Sequence, residues 1–282
     1  MSHHYTRDDL LRAIEGAGIR SGDTVSLQVS LGRLGLPFGI ERDYAALSNF
    51  VIDAFLEVLG PDGTLVVPTY TYSIGRGDVF EVETTPSSIG EFPEVFRNRE
   101  NAVRSRDPMM SAAAIGPGAK AILRNISNQC YGVGSVFDNL TKRNAVICTL
   151  GLGIWWATFC HYIERMAGAP FRFDKRFRGI VRENGQEQEE EWIYFAAPRV
   201  PNCESNSIAL EKRATERRLI GVAAVGRGEI HAVSARSYLA FGLDQLRENA
   251  WLTAKGPPAA PEVIFGDEPQ WLAGRSGSRV DS

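Results

Sequence analysis

Three short apolar runs, Thr24–Val29, Thr64–Val67 and Asn144–Leu150, constrain this chain more than any other feature. Each stops at turn-forming residues: Ser30-Leu31-Gly32, Pro68 and Gly151-Leu152-Gly153. Between the first two lies a segment of helical period, Tyr44 to Leu59, ended by Gly60-Pro61-Asp62-Gly63. Short buried strands joined through helices run in the same direction. The pattern therefore predicts an α/β fold with a central, mostly parallel sheet flanked by helices on both faces. An opening helix fits this scheme, with Thr6 as its cap, Asp8 and Asp9 at its positive end, and Leu10, Leu11 and Ile14 as its apolar face. Further helices are expected over about Ala157–Met166, Ser207–Arg218 and Arg236–Glu248. Another, capped near Ser87-Ser88, should carry Phe92, Val95 and Phe96.

After Gly179 the pattern turns antiparallel. Asn184-Gly185, between Ile180–Arg182 and Trp192–Phe195, is a strong hairpin dipeptide. A second hairpin is expected from Gly221–Val225 and Glu229–Ser234. The expectation is one domain over residues 1–255, with an antiparallel β appendage at about 179–235. The Pro-, Gly- and Ser-rich residues 256–282 are expected to be a mobile tail.

Charge and cysteine usage narrow the function classes. Lys and Arg number 31 against 34 Asp and Glu, so the net charge of −3 argues against a general nucleic-acid binder. The same balance argues mildly against a polycationic substrate. Cys130, Cys148, Cys160 and Cys203 form no C-x-x-C pair, which suits a reducing compartment and neither a disulfide framework nor a zinc site. No signal peptide is read at the start and no apolar run reaches the roughly 18–20 residues that span a bilayer. The expectation is a soluble cytoplasmic protein without nucleic-acid or membrane partners; a homodimer is left open.

Four histidines are present: His3, His4, His161 and His231. The first two fall in a stretch expected to fray. His161 and Glu164 share one face of the helix after Gly153, and a carboxylate beside an imidazole fixes its tautomer and raises its basicity. Spacing alone also allows a half-buried histidine beside a surface glutamate. Position favours function, because α/β sheets place ligands beyond strand C-termini. Gly151-Leu152-Gly153 invites a dinucleotide reading, but Trp156 occupies the place of the third glycine. A tight turn is the better account. Arg218-Leu219-Ile220-Gly221-Val222-Ala223 fits the R-x-x-G-x-A signature of GNAT acetyltransferases but runs into a hairpin, so it reads as coincidence. Cys160 reads as a buried structural thiol. Arg165, Arg172, Lys175, Arg176 and Arg178 could hold phosphates or form a solvated surface. Glu187, Glu189, Glu190 and Glu191 read as a solvated hairpin face.

Taken together, six segments in order resemble the aminoglycoside N3-acetyltransferase family, the antibiotic N-acetyltransferase fold distinct from the GNATs. Ser30–Gly35 resembles H-S-S-L-x-x-L-G, and Gly63–Thr71 resembles G-T-L-V-M-P-T-F-T. Thr85–Gly90 with Phe96-Arg97 resembles T-P-S-x-x-G and its later F-R. Arg104–Gly116 resembles R-S-x-H-P-x-x-S-x-A-A-x-G, Gly134–Leu140 resembles G-S-P-x-x-x-L, and Thr158–Glu164 resembles T-x-x-H-x-x-E. The likeness spans roughly residues 6–250. It implies transfer of an acyl group from acyl-CoA, usually acetyl-CoA as co-substrate, to a primary amine, with no metal. Carried over, His161 is the general base and Glu164 its orienter. Ser30, Leu31, Gly32, Ser105 and Ser111 fall to the acyl-CoA side, and Thr69, Tyr70, Asp107 and Thr158 to the amine. Gln28 stands where the family has the histidine of H-S-S-L, and Asp107 where it has the histidine before proline. Asp107 could hold an acceptor ammonium or cap the turn before Pro108. These departures, with the charge balance, point from antibiotics toward a phosphorylated or nucleotide-linked amino sugar or another biosynthetic amine. An NAD-binding oxidoreductase and a non-catalytic CoA- or sugar-binding module are the competing classes.

Overall fold

The computed structural model describes residues 4–257. The expected mobile tail at 256–282 lies almost wholly outside them. In chain order the elements are α1 (Arg7–Gly16), β1 (Thr24–Val29), α2 (Tyr44–Leu59), β2 (Thr64–Pro68), α3 (Ser73–Arg76), β3 (Phe80–Glu81) and α4 (Glu91–Arg97). There follow β4 (Val103–Arg104), β5 (Ala112–Ile115), α5 (Ala119–Leu123), α6 (Val136–Lys142), β6 (Val146–Leu150) and α7 (Phe159–Ala167). The last third holds β7 (Phe173–Glu183), β8 (Gln186–Ala196), α8 (Ile208–Glu216), β9 (Gly221–Val225), β10 (Gly228–Ser234) and α9 (Ala235–Glu248).

Seven strands form the main sheet in the order β4-β5-β2-β1-β6-β10-β9. Its centre is parallel, β1 pairing with β2 on one side and β6 on the other, while both edges are antiparallel. Strand alternation splits the core into two layers. Val25 and Leu27 of β1, Leu65 and Val67 of β2, and Cys148 and Leu150 of β6 pack under α1, α2 and α4. Val66 and Ile147 face the opposite way, into apolar clusters built with α5 to α9.

Local chemistry explains the helix ends. Thr6 and Asp9 close a capping box on α1: the Asp9 N–H donates to Thr6 Oγ1 at 3.2 Å, and the Thr6 N–H to Asp9 Oδ2 at 2.8 Å. Asp43 caps α2 through the Ala46 N–H. α4 differs from expectation. It starts at Glu91 after Gly90, whose φ is 113°, and has no side-chain cap; Ser88 instead donates to the Tyr70 carbonyl. Nor does His4 fray, because its backbone N–H donates to Leu36 and its Nδ1 accepts from the Leu36 N–H.

The antiparallel segment also differs. The Asn184-Gly185 hairpin is present, with φ of 50° and 74° at its two turn residues, but β7 begins at Phe173 and pairs with β3 to make a separate three-stranded sheet. The second hairpin is no appendage. β10 pairs with β6, from Ile230 opposite Leu150 to Ser234 opposite Val146, and so covers an edge that would otherwise expose unpaired amides. Gly221 sits inside β9, which confirms that the GNAT-like signature is coincidental.

Candidate active site

Parallel strands leave a crevice where the chain departs in opposite directions from neighbouring C-termini. Here β1 leads through α2 to β2, while β6 lies on its other side. A cleft of about 490 Å³ opens at that point, with walls from Gln28 and Val29 at the end of β1, Val67 and Pro68 of β2, and Leu152 and Trp155 to Thr158 after β6. Gly151 allows the two loops to meet. Its φ is 72°, and a Cβ there would stand 2.6 Å from the Ser30 carbonyl. The glycine turn thus accommodates the chain's own backbone.

α7 brings His161 to this cleft. Its side chain is 22% exposed, with Nδ1 2.8 Å from Glu164 Oε2 one turn further on. Glu164 is fully buried, and a buried carboxylate is tolerated only with partners. Arg172 supplies the second partner, with Nε 2.5 Å from the same oxygen. That guanidinium is itself 4% exposed. It donates to Ser205 Oγ at 3.0 Å and to the Phe195 carbonyl at 3.2 Å, and its Nη2 lies 2.8 Å from His161 Nδ1.

The electrostatics follow. Burial would raise the Glu164 carboxyl, but His161 and Arg172 outweigh it and hold the group below the usual glutamate range. Burial, then Arg172, lowers the His161 pKa against the opposing pull of Glu164. The ring is therefore neutral near pH 7. Nδ1 faces two partners of opposite demand, the Glu164 carboxylate, which accepts, and Arg172 Nη2, which donates; the tautomer protonated at Nδ1 answers the anion and leaves Nε2 as the free acceptor.

Of the other expected residues, Tyr70 and Thr158 line the cleft. Thr69, Ser105 and Ser111 do not, because their hydroxyls are engaged inside the fold. Ser111 Oγ donates to the Thr69 carbonyl at 2.6 Å, the Ala112 N–H donates to Ser105 Oγ at 3.0 Å, and Thr69 Oγ1 accepts from Arg104 at 3.2 Å. Asp107 caps its turn: Oδ1 accepts from the N–H groups of Met109 and Met110, both at 2.8 Å. Burial pushes its carboxyl up to about 6. Ser30, Leu31 and Gly32 form a 3₁₀ turn past the wall residues Gln28 and Val29, with Leu31 in the core and Gly32 exposed.

Cys160 is buried with Sγ 2.8 Å from Ser207 Oγ, and burial pushes its thiol up, away from a reactive thiolate. The basic segment is dispersed. Arg165 pairs with Asp174, Arg176 and Arg178 pair with Glu191, and only Arg172 of the cluster turns inward to the base. The acidic hairpin is likewise engaged in part, since Glu190 holds Arg106 and accepts from Trp192 Nε1. Sequence reasoning left Arg172 in a cluster that could hold phosphates or form a solvated surface, and missed Ser205, Ser207 and Tyr72 as lining residues. No local pattern marks them.

Comparison with known proteins identifies the family. A family model described as aminoglycoside 3-N-acetyltransferase matches residues 39–247. The chain is 28% identical over 192 residues to aminoglycoside N(3)-acetyltransferase VIII of Streptomyces fradiae, covering 61% of this chain and 64% of that one. It is 26% identical over 274 residues to aminoglycoside N(3)-acetyltransferase VII of Streptomyces paromomycinus, covering 86% and 92%. The fold resembles the crystal structure of aminoglycoside acetyltransferase AAC(3)-Xa, with a TM-score of 0.75 and 23% identity over 87% of this chain and 93% of that one. It also resembles AAC-IIIb in its binary complex with CoASH, with a TM-score of 0.73 and 19% identity over 90% of this chain and all of the other. The matched region takes in β2, β6 and the His161–Glu164 helix, and the chain belongs to the aminoglycoside 3-N-acetyltransferase family, a family of N-acetyltransferases.

Proposed function

We propose that the chain transfers an acetyl group from acetyl-CoA to the primary amine of an amino sugar or similar small amine, by direct attack with His161 as general base. The observation that carries this reading is the buried Glu164–His161 pair opening onto a cleft at the C-terminal ends of β1, β2 and β6. The cleft suits the methylene-and-amide arm of an acyl-CoA, with Val67, Pro68 and Phe92 as apolar walls and Thr158, Ser205 and Ser207 as hydroxyl-bearing ones. Bound acetyl-CoA supplies the activated acyl thioester. The acceptor ammonium loses one proton to solvent; as the free amine bonds to the thioester carbonyl carbon, Nε2 of His161 takes a second proton from the nitrogen, and the imidazolium passes it to the thiolate released when the C–S bond breaks. Glu164 stabilises that imidazolium and holds the ring, as a positioning residue. Arg172 keeps Glu164 ionised and the resting imidazole neutral.

The acceptor is read as an amine without multiple positive charges. Among the described residues lining the cleft there is no Asp or Glu, and Glu164, beside His161, is matched by Arg172. Recognition of a polycation calls for unmatched carboxylates. An amino sugar that is not polycationic, or another biosynthetic amine, meets the uncharged lining better. The names of the relatives favour a second reading, in which an aminoglycoside is itself the acceptor and transfer confers resistance. The test follows free thiol released from acetyl-CoA with aminoglycosides, nucleotide-linked amino sugars and simple amines. Amine-dependent release with a preference for the less charged amines supports the proposal. Preference for aminoglycosides supports the second reading, and failure to bind acetyl-CoA overturns both.

A further inference from the structure

The loop after β6 places two tryptophans in sequence on one wall of the cleft. The rings of Trp155 and Trp156 lie 4.6 Å apart with their planes inclined by 37°. Trp156 is 47% exposed although it lines a concave space, and Ile89, also exposed, lines the same space. A single exposed indole on a loose loop would need no explanation. The loop that carries this one is tied down at four points. Gly153 carries no side chain where a Cβ would stand 2.6 Å from the Trp155 ring and 2.8 Å from Glu211 Oε1. Glu211, on α8, accepts from the Ile154 N–H at 2.7 Å. Gln28, at the end of β1, accepts from the Thr158 N–H at 2.9 Å and donates to the Trp156 carbonyl at 3.4 Å. The Trp156 N–H closes the turn on the Gly153 carbonyl at 3.1 Å.

A large, half-exposed ring that rests on a neighbouring indole and rises from a tied backbone has less freedom to lose when a ligand arrives, which lowers the entropic cost of binding. Its π face favours offset stacking with another flat ring, and Ile89, Phe92 and Pro93 give the same cleft apolar sides. We infer that Trp156, backed by Trp155 and clamped by Gln28, is a stacking platform that binds a flat aromatic ring of a reactant. This deepens the transferase reading and rests on it. Two reactants carry such a ring: the adenine of the acyl-CoA, or an aromatic group attached to the acceptor amine.

Steady-state acetyl transfer by wild type, Trp156→Ala and Trp156→Phe separates the sources when run with matched pairs. The donors are acetyl-CoA and acetyl-pantetheine; the acceptors are an amine bearing a phenyl or purine ring and a non-aromatic amino sugar. Trp156→Ala should raise KM at least about 5-fold more for the ring-bearing member of one pair than for its ringless partner, with Trp156→Phe recovering most of the difference. An effect in the donor pair places adenine on the platform, and one in the acceptor pair places the acceptor ring there. Gln28→Ala should reproduce the pattern at smaller size. Equal changes in both members of both pairs, or none, overturn the inference. A wild-type chain that releases no thiol with any amine sinks the transferase reading instead. The platform is then read calorimetrically from binding of CoA and pantetheine to wild type and Trp156→Ala, and an unchanged CoA-to-pantetheine affinity ratio overturns it.

Discussion

The two walls of the cleft are built by opposite means. On the α7 side a carboxylate, an imidazole and a guanidinium are buried together, and charge sets what the site can do. On the side of residues 152–158 the groups that face the cleft are neutral: the Gln28 amide and two adjacent indoles inclined by 37°. Burial makes the first wall sensitive to any uncompensated charge, whereas the second responds to shape. The contrast teaches that proton transfer and reactant selection are separable here. Substitutions on one wall should affect turnover, and on the other KM.

The largest effect expected on the charged wall is that of His161→Ala, which should lower turnover by about 10²–10⁴-fold while acetyl-CoA binding, followed by calorimetry, stays close to wild type. Arg172→Gln comes next. It leaves Glu164 buried with one partner fewer, so denaturant unfolding should show a loss of about 3–5 kcal/mol. Arg172→Lys restores the charge without the guanidinium's second contacts and should recover only part of the loss. Turnover of Arg172→Gln, measured where the protein remains folded, should fall less than that of His161→Ala and show an acid limb at higher pH, because a cation facing the ring has gone.

On the neutral wall, Gln28→Ala should raise KM by a few-fold with kcat nearly unchanged, since it frees the Trp156–Thr158 segment without touching the base. A kcat loss as large as that of His161→Ala would break the comparison. The smallest effect belongs to Asp107→Asn. Asparagine keeps an oxygen for the two turn amides and removes a buried charge, so kcat/KM should stay within roughly two-fold. The folded carboxyl titrates at about 6, above its unfolded value. In the wild type this group therefore favours folding more as pH falls through that range, and Asp107→Asn should abolish that contribution in pH-dependent thermal unfolding. A large rise in acceptor KM would instead return Asp107 to substrate binding.

What the sequence made legible was local. The apolar runs of β1, β2 and β6, the capping pair Thr6 and Asp9, and the His161–Glu164 spacing each lie within one turn or one strand. What it concealed depends on distant partners. Arg172 turns inward because Glu164, Ser205 and Phe195 meet it there, while its neighbours Arg176 and Arg178 on β7 turn out to Glu191. Motif segments also mark a stretch of chain without fixing which way a hydroxyl points, and Ser105 and Ser111 point into the sheet connections. The second hairpin went to the main sheet because β6 offered an open edge, a fact of topology rather than of any residue within the hairpin.

His161, held neutral between Glu164 and Arg172, is proposed to remove the acceptor's proton. The pH dependence of kcat/KM tests it most directly, with one amine acceptor and wild type compared with His161→Ala. A ring whose folded pKa lies below 6.5 stays a base until the solution is more acidic than that. Wild type should therefore show an acid limb with its midpoint below pH 6.5, and His161→Ala should be slow throughout and lack that limb. A variant that retains wild-type rates, or the same limb in both proteins, would contradict it.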